Sequence, residues 1–339
     1  MGKVVAALHR MGFDEVFDTT FTADLTIMEE SAEFLERVTT GTNLPLLTSC
    51  CPAWVKFVEN EYPEFKANIS TCRSPQQMFS AVLKDYYRDE HNAQGKKTVV
   101  VSIMPCTAKK FEKERPQNAA VEGLPDVDAV LTTRELARLI KRSGIQFKRL
   151  PEEAFDQDLL GEASGAGVIF GVTGGVMEAA LRTAYKVLTG KEHEAIRFEA
   201  VRGFKGIKEA SLELNGTMVN VAVAHGMKNA RVLLEQIKAG ESKYHFIEIM
   251  GCPGGCVNGG GQPYVRECFL PDEEPDIMDT YREKRAAALY SEDVRSVLRQ
   301  SHNNTQIQQL YADYLGEPNS HRAHELLHTS YLSREPFPQ

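Results

Sequence analysis

The chain has 339 residues, 42% hydrophobic and 25% charged, with a formal net charge of −8. It is long enough to bury a sizeable core as one large domain or two lobes. An acidic balance without a basic block disfavours nucleic acid and anionic membrane surfaces as partners, and no apolar run approaches the roughly 18 residues of a membrane span.

The elements follow in chain order. Gly2 to Met11 reads as a helix with Val4, Val5, Leu8 and Met11 on one face, then Glu15-Val16-Phe17 as a short strand. Ala23 to Thr39 is a second helix, and Leu44-Pro45-Leu46-Leu47 leads into a cysteine pair followed by a helix from Trp54 to Glu61. Ser74 to Arg88 is amphipathic, and Thr98 to Ile103 is a valine-rich strand. Ala129 to Leu131 is a strand, followed by a helix to Arg142 capped by Thr132 or Thr133. Val168 to Phe170 reads as a strand entering Gly171–Gly175, then a helix from Val176 to Leu188. Thr217 to Ala224 is a strand, Met227 to Ala239 a helix and Tyr244 to Met250 a strand, while Tyr281 to Leu315 is polar and helical. Strands alternating with helices predict a parallel α/β architecture. Pro, Gly and charge cluster at 152–167, where a boundary between lobes is expected.

Five of the seven cysteines fall in three stretches that each follow an apolar run: Thr48-Ser49-Cys50-Cys51-Pro52-Ala53-Trp54, Met104-Pro105-Cys106-Thr107-Ala108-Lys109-Lys110 and Met250-Gly251-Cys252-Pro253-Gly254-Gly255-Cys256. A parallel sheet gathers its functional loops at such strand ends. Seven unevenly spaced cysteines, two of them adjacent, do not make a secreted disulfide framework; metal-bound thiolates in a reducing compartment fit better. Thiolates in this number suit an iron–sulfur cluster or zinc, and spacing alone leaves a structural zinc site open. Cys252 and Cys256 flank two glycines, and Gly259-Gly260-Gly261 follows, backbone that lets a bulky group approach. Cys51 and Cys106 bring the ligand count to the four of a 4Fe–4S cluster.

The bland alternatives are concrete. Glu29, Glu30 and Glu33 on pattern alone are a solvated helix face, Lys109 beside Lys110 a surface lysine, and Met104 and Met250 core residues. Cys72 and Cys268 read as buried small residues. Gly171–Gly175 lacks the full phosphate-loop pattern and reads as a tight turn. His324-Glu325-Leu326-Leu327-His328 matches the zinc-protease H-E-x-x-H pattern, but lies too near the end of the sequence for a third ligand and a cleft.

The three cysteine stretches resemble the three signature segments of the iron-only (FeFe) hydrogenases, and the similarity runs from about Gly2 to His328. The resemblance implies that Cys51, Cys106, Cys252 and Cys256 bind a 4Fe–4S cubane. It also implies that Cys256 bridges to a diiron subcluster bearing carbon monoxide, cyanide and a dithiolate, the two together forming the H-cluster. Lys109 is then placed to donate to a cyanide. Met104, Met250, Ser74 and Gln76 line the pocket, and Cys50 is a free thiol that passes protons. The family's relay continues through positions matching Glu30, Ser70 and Glu33 to Arg37; Glu30 and Glu33 are i, i+3 and Glu33 and Arg37 i, i+4 on one helix.

The implied fold is α/β, two lobes with parallel sheets flanked by helices, the cofactor between them and a helical C-terminal wrap. Residues 1–160 would form the first lobe, 161–270 the second, and 271–339 a small-subunit-like tail that accounts for the His324–His328 stretch. The implied function is reversible oxidation of dihydrogen to protons and electrons. A ferredoxin-like carrier or an upstream iron–sulfur domain would take the electrons, and maturation proteins would supply the diiron unit. A cytoplasmic location is expected, with a periplasmic one left open. Because the family's catalytic domain opens with a strand, an Ala-Pro turn and a helix not seen before Gly2, an N-terminally truncated chain is expected. The rivals are a non-catalytic iron–sulfur assembly protein and a hydrogen sensor; Cys50, Met104, Lys109 and Met250 together argue against the first, and an unaltered relay cysteine against the second.

Overall fold

A computed structural model describes residues 1–121, 123–156, 160–192, 199–214, 216–264 and 276–336. Cys268 and part of the 152–167 stretch lie outside the described residues. The first half of the chain runs through α1 (Gly2–Arg10), α2 (Thr20–Thr40), β1 (Leu46–Leu47), α3 (Pro52–Glu61), α4 (Pro75–Tyr86), α5 (Arg88–Ala93), β2 (Val101–Met104), α6 (Ala108–Glu112), β3 (Ala129–Thr132) and α7 (Thr133–Arg142). The second half adds α8 (Gly165–Ile169), α9 (Gly175–Thr189), β4 (Ile207–Leu214), β5 (Thr217–His225), α10 (Met227–Lys238), β6 (Phe246–Met250), α11 (Asp276–Arg295), α12 (Thr305–Leu310) and α13 (His321–Leu327).

Two sheets result. One has the order β1-β6-β5-β4, with β1, β6 and β5 parallel and β4 antiparallel at the edge; the other pairs β2 and β3 in parallel. The four-stranded sheet thus joins a strand at residues 46–47 to strands from 207 to 250. Every residue of β6 is buried, the mark of a strand covered on both faces. On one face α2 and α9 pack through Ile27, Phe34, Val176, Ala180 and Phe246, with Phe34 and Phe246 stacked at 5.0 Å. The other face takes α3 and α10 through Trp54, Val58, Leu233 and Leu234. Trp54 is fully buried, and its indole N–H donates to the Thr48 carbonyl at 3.0 Å, tying α3 to the first cysteine stretch.

Local signals and tertiary context part company at three places. Glu15–Phe17 is extended but not a strand, because its bonding groups are met by one residue: Val16 N–H donates to the Asp156 carboxylate at 2.6 Å and Asp156 N–H to the Val16 carbonyl at 3.0 Å. Val168 and Ile169 are helical, because Ser164 caps α8 by accepting from Gly167 N–H. Glycines at 165 and 167 also let that helix press against Asp293 and the Thr20 carbonyl. β4 was not foreseen; its alternation is blurred by the charges of Lys208, Glu209 and Glu213. The polar stretch after Tyr281 is helical as expected, in separate pieces: Asn304 caps α12, Ser320 caps α13, and Gly316 between them has φ of 88°. At α7 the cap is Thr132, in a reciprocal capping box with Glu135.

The tail is fastened by buried charge. Arg182 of α9 donates to both oxygens of Asp293 of α11 at 3.1 and 3.0 Å and to Glu178 at 2.7 Å, and Arg299 joins from the far side. Asp293→Ala strips α11 of this anchor and leaves Arg182, 1% exposed, short of countercharge. It is expected to cost about 3 kcal/mol, read as a lower urea midpoint at unchanged slope. A loss below about 1 kcal/mol would show that the network does not hold the tail.

Candidate functional site

Each cysteine stretch leaves the C-terminal end of a strand: Cys50 and Cys51 after β1, Cys106 after β2, Cys252 after β6. The thiols of Cys51, Cys106, Cys252 and Cys256 are close enough for their charges to interact. Burial first, and the neighbouring thiols next, push Cys252 up to about 11 and raise Cys256 further. Burial also raises Cys106, and Lys109 opposes it. Such a cluster of thiols resists ionisation until a cation takes the charge, which is the chemistry of a metal-thiolate site.

The backbone around the sulfurs is bare because it has to be. A side chain at Gly251 would lie 3.2 Å from Cys51 Sγ, one at Gly261 2.8 Å from the Pro105 carbonyl carbon, and one at Gly255 2.7 Å from the Thr173 nitrogen. Gly251 N–H donates to Cys51 Sγ at 3.3 Å, Gly260 N–H serves Cys252, and Ala108 and Lys109 N–H serve Cys106. Amide donors aimed at sulfur are what an iron–sulfur cluster uses to stabilise its charge. Among the described residues no three His, Cys, Asp or Glu side chains converge tightly enough for a single ion. A cubane, whose four ligands each bind a different iron, does not need that convergence. The Gly171–Gly175 turn sits directly on this region: Thr173 N–H donates to the Gly254 carbonyl at 3.1 Å and Val257 N–H to the Gly171 carbonyl at 2.9 Å.

Lys109 is not a surface lysine. It is buried, and its ammonium donates to the Cys50 carbonyl at 3.1 Å and to Glu112 at 2.9 and 3.1 Å. Burial works against its charge, but Glu112 outweighs that and raises its pKa. Glu112 is the residue that the sequence reading missed. The Ser74 hydroxyl donates to it at 2.8 Å and the Gln76 amide at 3.1 Å, so both foreseen pocket residues meet on one carboxylate. The i, i+3 spacing of Lys109 and Glu112 on a helix was the available signal. Gln76 Oε1 is buried without a partner. Met250 is buried with its sulfur beside Gly255, and Met104 ends β2 opposite Thr132, half-buried.

The acids of α2 are not a solvated face either. Glu29 and Glu30 are 0% and 1% exposed, and Glu33 and Arg37 are buried as well. Ser70 donates to Glu33 at 2.7 Å, and Arg37 pairs with Glu33 at 2.5 Å while its guanidinium donates to the Asn43, Ala67, Asn68 and Ile69 carbonyls. Glu30 lies between Cys50 and Ser70: burial first, then the Glu33 charge, push it up to about 8, with Ser70 and the Ser49 N–H easing it. Glu30 Oε1 has no hydrogen-bond partner. Burial, then the Glu30 charge, raises Cys50 and keeps it a thiol. The half-buried Cys50 and the buried Glu30, Ser70, Glu33 and Arg37 therefore form one contiguous row. Cys72, 1% exposed, lies beside it.

His324–His328 serves the interior rather than a metal. His328 bonds Glu29 at 3.0 Å through one ring nitrogen and Thr71 at 2.7 Å through the other, while Glu325 is exposed and pairs with Arg322.

Fold and site define the class: an α/β protein whose strand ends gather free thiols against bare backbone, with an internal row of acids leading away. The comparisons narrow it. The family model described as the iron-only hydrogenase large subunit, C-terminal domain, matches residues 1–260, and that of the iron hydrogenase small subunit matches 279–334. The chain belongs to the iron-only hydrogenase family. It is 52% identical over 98% of its length to the NADP-reducing hydrogenase subunit HndD of Solidesulfovibrio fructosivorans, and 47% identical over 97% to iron hydrogenase 1 of Clostridium pasteurianum. It spans 56% of the length of each of these relatives. A solved FeFe-hydrogenase HydA structure from a study of stepwise H-cluster assembly superposes with a TM-score of 0.80 at 43% identity, covering 98% of this chain and 88% of that one. Cytosolic iron–sulfur assembly component 3 of Rattus norvegicus is more distant, at 33% over 98% of this chain and 69% of its own length. No helix among the described residues is long and apolar enough to cross a membrane.

Glu30 gives a pH signature. Its folded pKa of about 8 lies above its ordinary 4.5, so between those values the folded state holds a proton that the unfolded state releases. Stability falls as pH rises through that window, by on the order of 5 kcal/mol at full effect. Glu30→Gln should remove this fall. Urea unfolding at pH 5 and pH 8 should show the variant gaining on the wild type at pH 8, and equal pH dependence would mean that Glu30 ionises freely.

Proposed function

We propose that this chain is the catalytic H-cluster domain of a hydrogenase that interconverts dihydrogen with protons and electrons. The observation that carries this reading is the unbroken row from the half-buried Cys50, beside the four-cysteine site, through the buried Glu30, Ser70 and Glu33 to Arg37. Buried carboxylates cost stability unless compensated, and Glu30 keeps one oxygen without a partner.

In this reading Cys51, Cys106, Cys252 and Cys256 hold a 4Fe–4S cubane, and Cys256 also holds the diiron subcluster. When bound, the H-cluster supplies the heterolytic splitting of hydrogen and the electron sink. The protein's residues orient and dry that chemistry. Lys109, held by Glu112, offers its ammonium to an anionic ligand of the diiron unit, and Met104, Met250, Ser74 and Gln76 shape the pocket. Cys50 exchanges a proton at its sulfur. Glu30, with a proton affinity near neutrality, passes that proton toward Ser70 and Glu33, which pairs with Arg37 at the end of the row.

We read residues 1–160 and 161–270 as the two sides of the cofactor pocket and 271–339 as the small-subunit-like wrap. The electron partner is a ferredoxin-like carrier or an upstream iron–sulfur domain, and dedicated maturation proteins deliver the diiron unit. Metal-bound thiolates favour a reducing compartment, the cytoplasm, with the periplasm as the alternative.

Anaerobic reconstitution should load about four irons per chain, by the ligand count. Matured protein should show infrared bands of bound carbon monoxide and cyanide and evolve hydrogen from reduced viologen; a stoichiometric zinc site without iron uptake would overturn the reading. Cys50→Ala should keep its iron and those bands and lose turnover by on the order of a hundredfold or more. Joint loss of iron and activity would make Cys50 a ligand instead.

A further inference from the structure

One buried charge pair near the site has no role in the chemistry above. Lys208 of β4 is 4% exposed and Glu248 of β6 fully buried. They grip the Gly171–Gly175 turn through opposite groups. The Lys208 ammonium donates to the Thr173 carbonyl at 3.0 Å and to the Gly203 carbonyl at 2.8 Å. Glu248 accepts from Gly174 N–H and Met177 N–H, both at 2.7 Å, one on each oxygen. Two amide donors at the start of α9 are what a carboxylate, rather than a neutral acid, binds best. No carboxylate among the described residues stands within ion-pair distance of Lys208, so its charge is met by carbonyl dipoles and, more remotely, by Glu248. Burial pushes Lys208 down to about 8, with Glu248 opposing, and burial raises Glu248, with the Gly174 and Met177 N–H donors and the Lys208 charge favouring its carboxylate.

The turn in their grip is the one that carries the cysteine loop. Thr173, whose carbonyl faces Lys208, donates its N–H to the Gly254 carbonyl midway between Cys252 and Cys256. Spacing is tight throughout: a side chain at Gly174 would lie 3.2 Å from the Lys208 ammonium. A full cation thus sits one residue from the backbone of the ligand loop, in an interior where charges are little screened.

We propose that Lys208 and Glu248 are positioning residues that set the reduction potential of the cluster held by Cys252 and Cys256. This rests on the proposed cluster site. The added electron makes the cluster more negative, so the Lys208 cation favours the reduced form and the Glu248 anion the oxidised one. A residue that merely held the turn would not give effects of opposite sign.

The test is a spectroscopically monitored redox titration of the whole chain carrying the cubane alone. Lys208→Gln keeps a donor for Thr173 without the charge, Lys208→Met removes both, and Glu248→Gln removes only the negative charge. The Lys208 variants should be harder to reduce by tenfold or more in the reduced-to-oxidised ratio, which is 59 mV for one electron, and Glu248→Gln should shift the other way. Wild type that takes up no cubane would sink the cluster assignment itself. Loaded variants with unchanged potentials, or all shifting in one direction, would overturn the charge-setting role alone. So would variants that fold but no longer load the cubane. If Lys208→Met does not fold, Lys208→Gln and Glu248→Gln decide the sign between them.

Discussion

A buried carboxylate has to be compensated, and α2 carries four: Asp24, Glu29, Glu30 and Glu33. Each draws its partners from a different part of the chain. Asp24 takes Ser164, Ser301 and Asn304; Glu29 takes Tyr311, Asn319 and His328; Glu33 takes Ser70, Thr71 and Arg37. The sheet loops, α8 and the C-terminal wrap are positioned by these demands as much as by apolar packing. Glu30 is the exception, with one oxygen unpartnered and its proton affinity raised to about 8. A carboxyl left half-satisfied in an otherwise satisfied row is the place where a proton can come and go.

The wrap has a chemical reason to be where it is. His328 bridges Glu29 and Thr71, and Thr71 in turn donates its N–H to Glu33. The tail therefore covers the outer side of the acid row and supplies the hydrogen-bond partners of Glu29. An H-E-x-x-H pattern is read as a metal site only when both imidazoles are free to turn toward one point. Here one of them is committed to the interior through both nitrogens.

The thiol end is governed by steric and electrostatic economy. Three loops from two sheets converge, and glycine occupies the positions where they touch: 251 against Cys51, 255 against Thr173, 261 against Pro105. Positive charge is delivered sparingly. Lys109 is tied to Glu112 and Lys208 balances against Glu248, so each cation reaches the region with a countercharge behind it.

The sequence by itself determined the chemistry and its order along the chain. The three cysteine stretches, the glycines that follow them and the spacing of Glu30, Glu33 and Arg37 are local features, and local periodicity showed that they sit at strand ends and on one helix. Alternating strands and helices also announced the α/β layers. Only the tertiary structure decided burial and partnership. The acids of α2 and the lysine after Cys106 look like surface charge on pattern alone, because periodicity reports which face is apolar and not which polar residue will find a partner inside. Glu112 became the common acceptor for Lys109, Ser74 and Gln76, and Val168-Ile169 became helix instead of strand. Each outcome joins a local signal, the i, i+3 spacing of Lys109 and Glu112 or the Ser164 cap, to groups tens of residues away that no local window contains. The edge strand β4 escaped for the same reason: its pairing with β5 and the burial of Lys208 against a distant turn are properties of the packed sheet, not of the eight residues that form it.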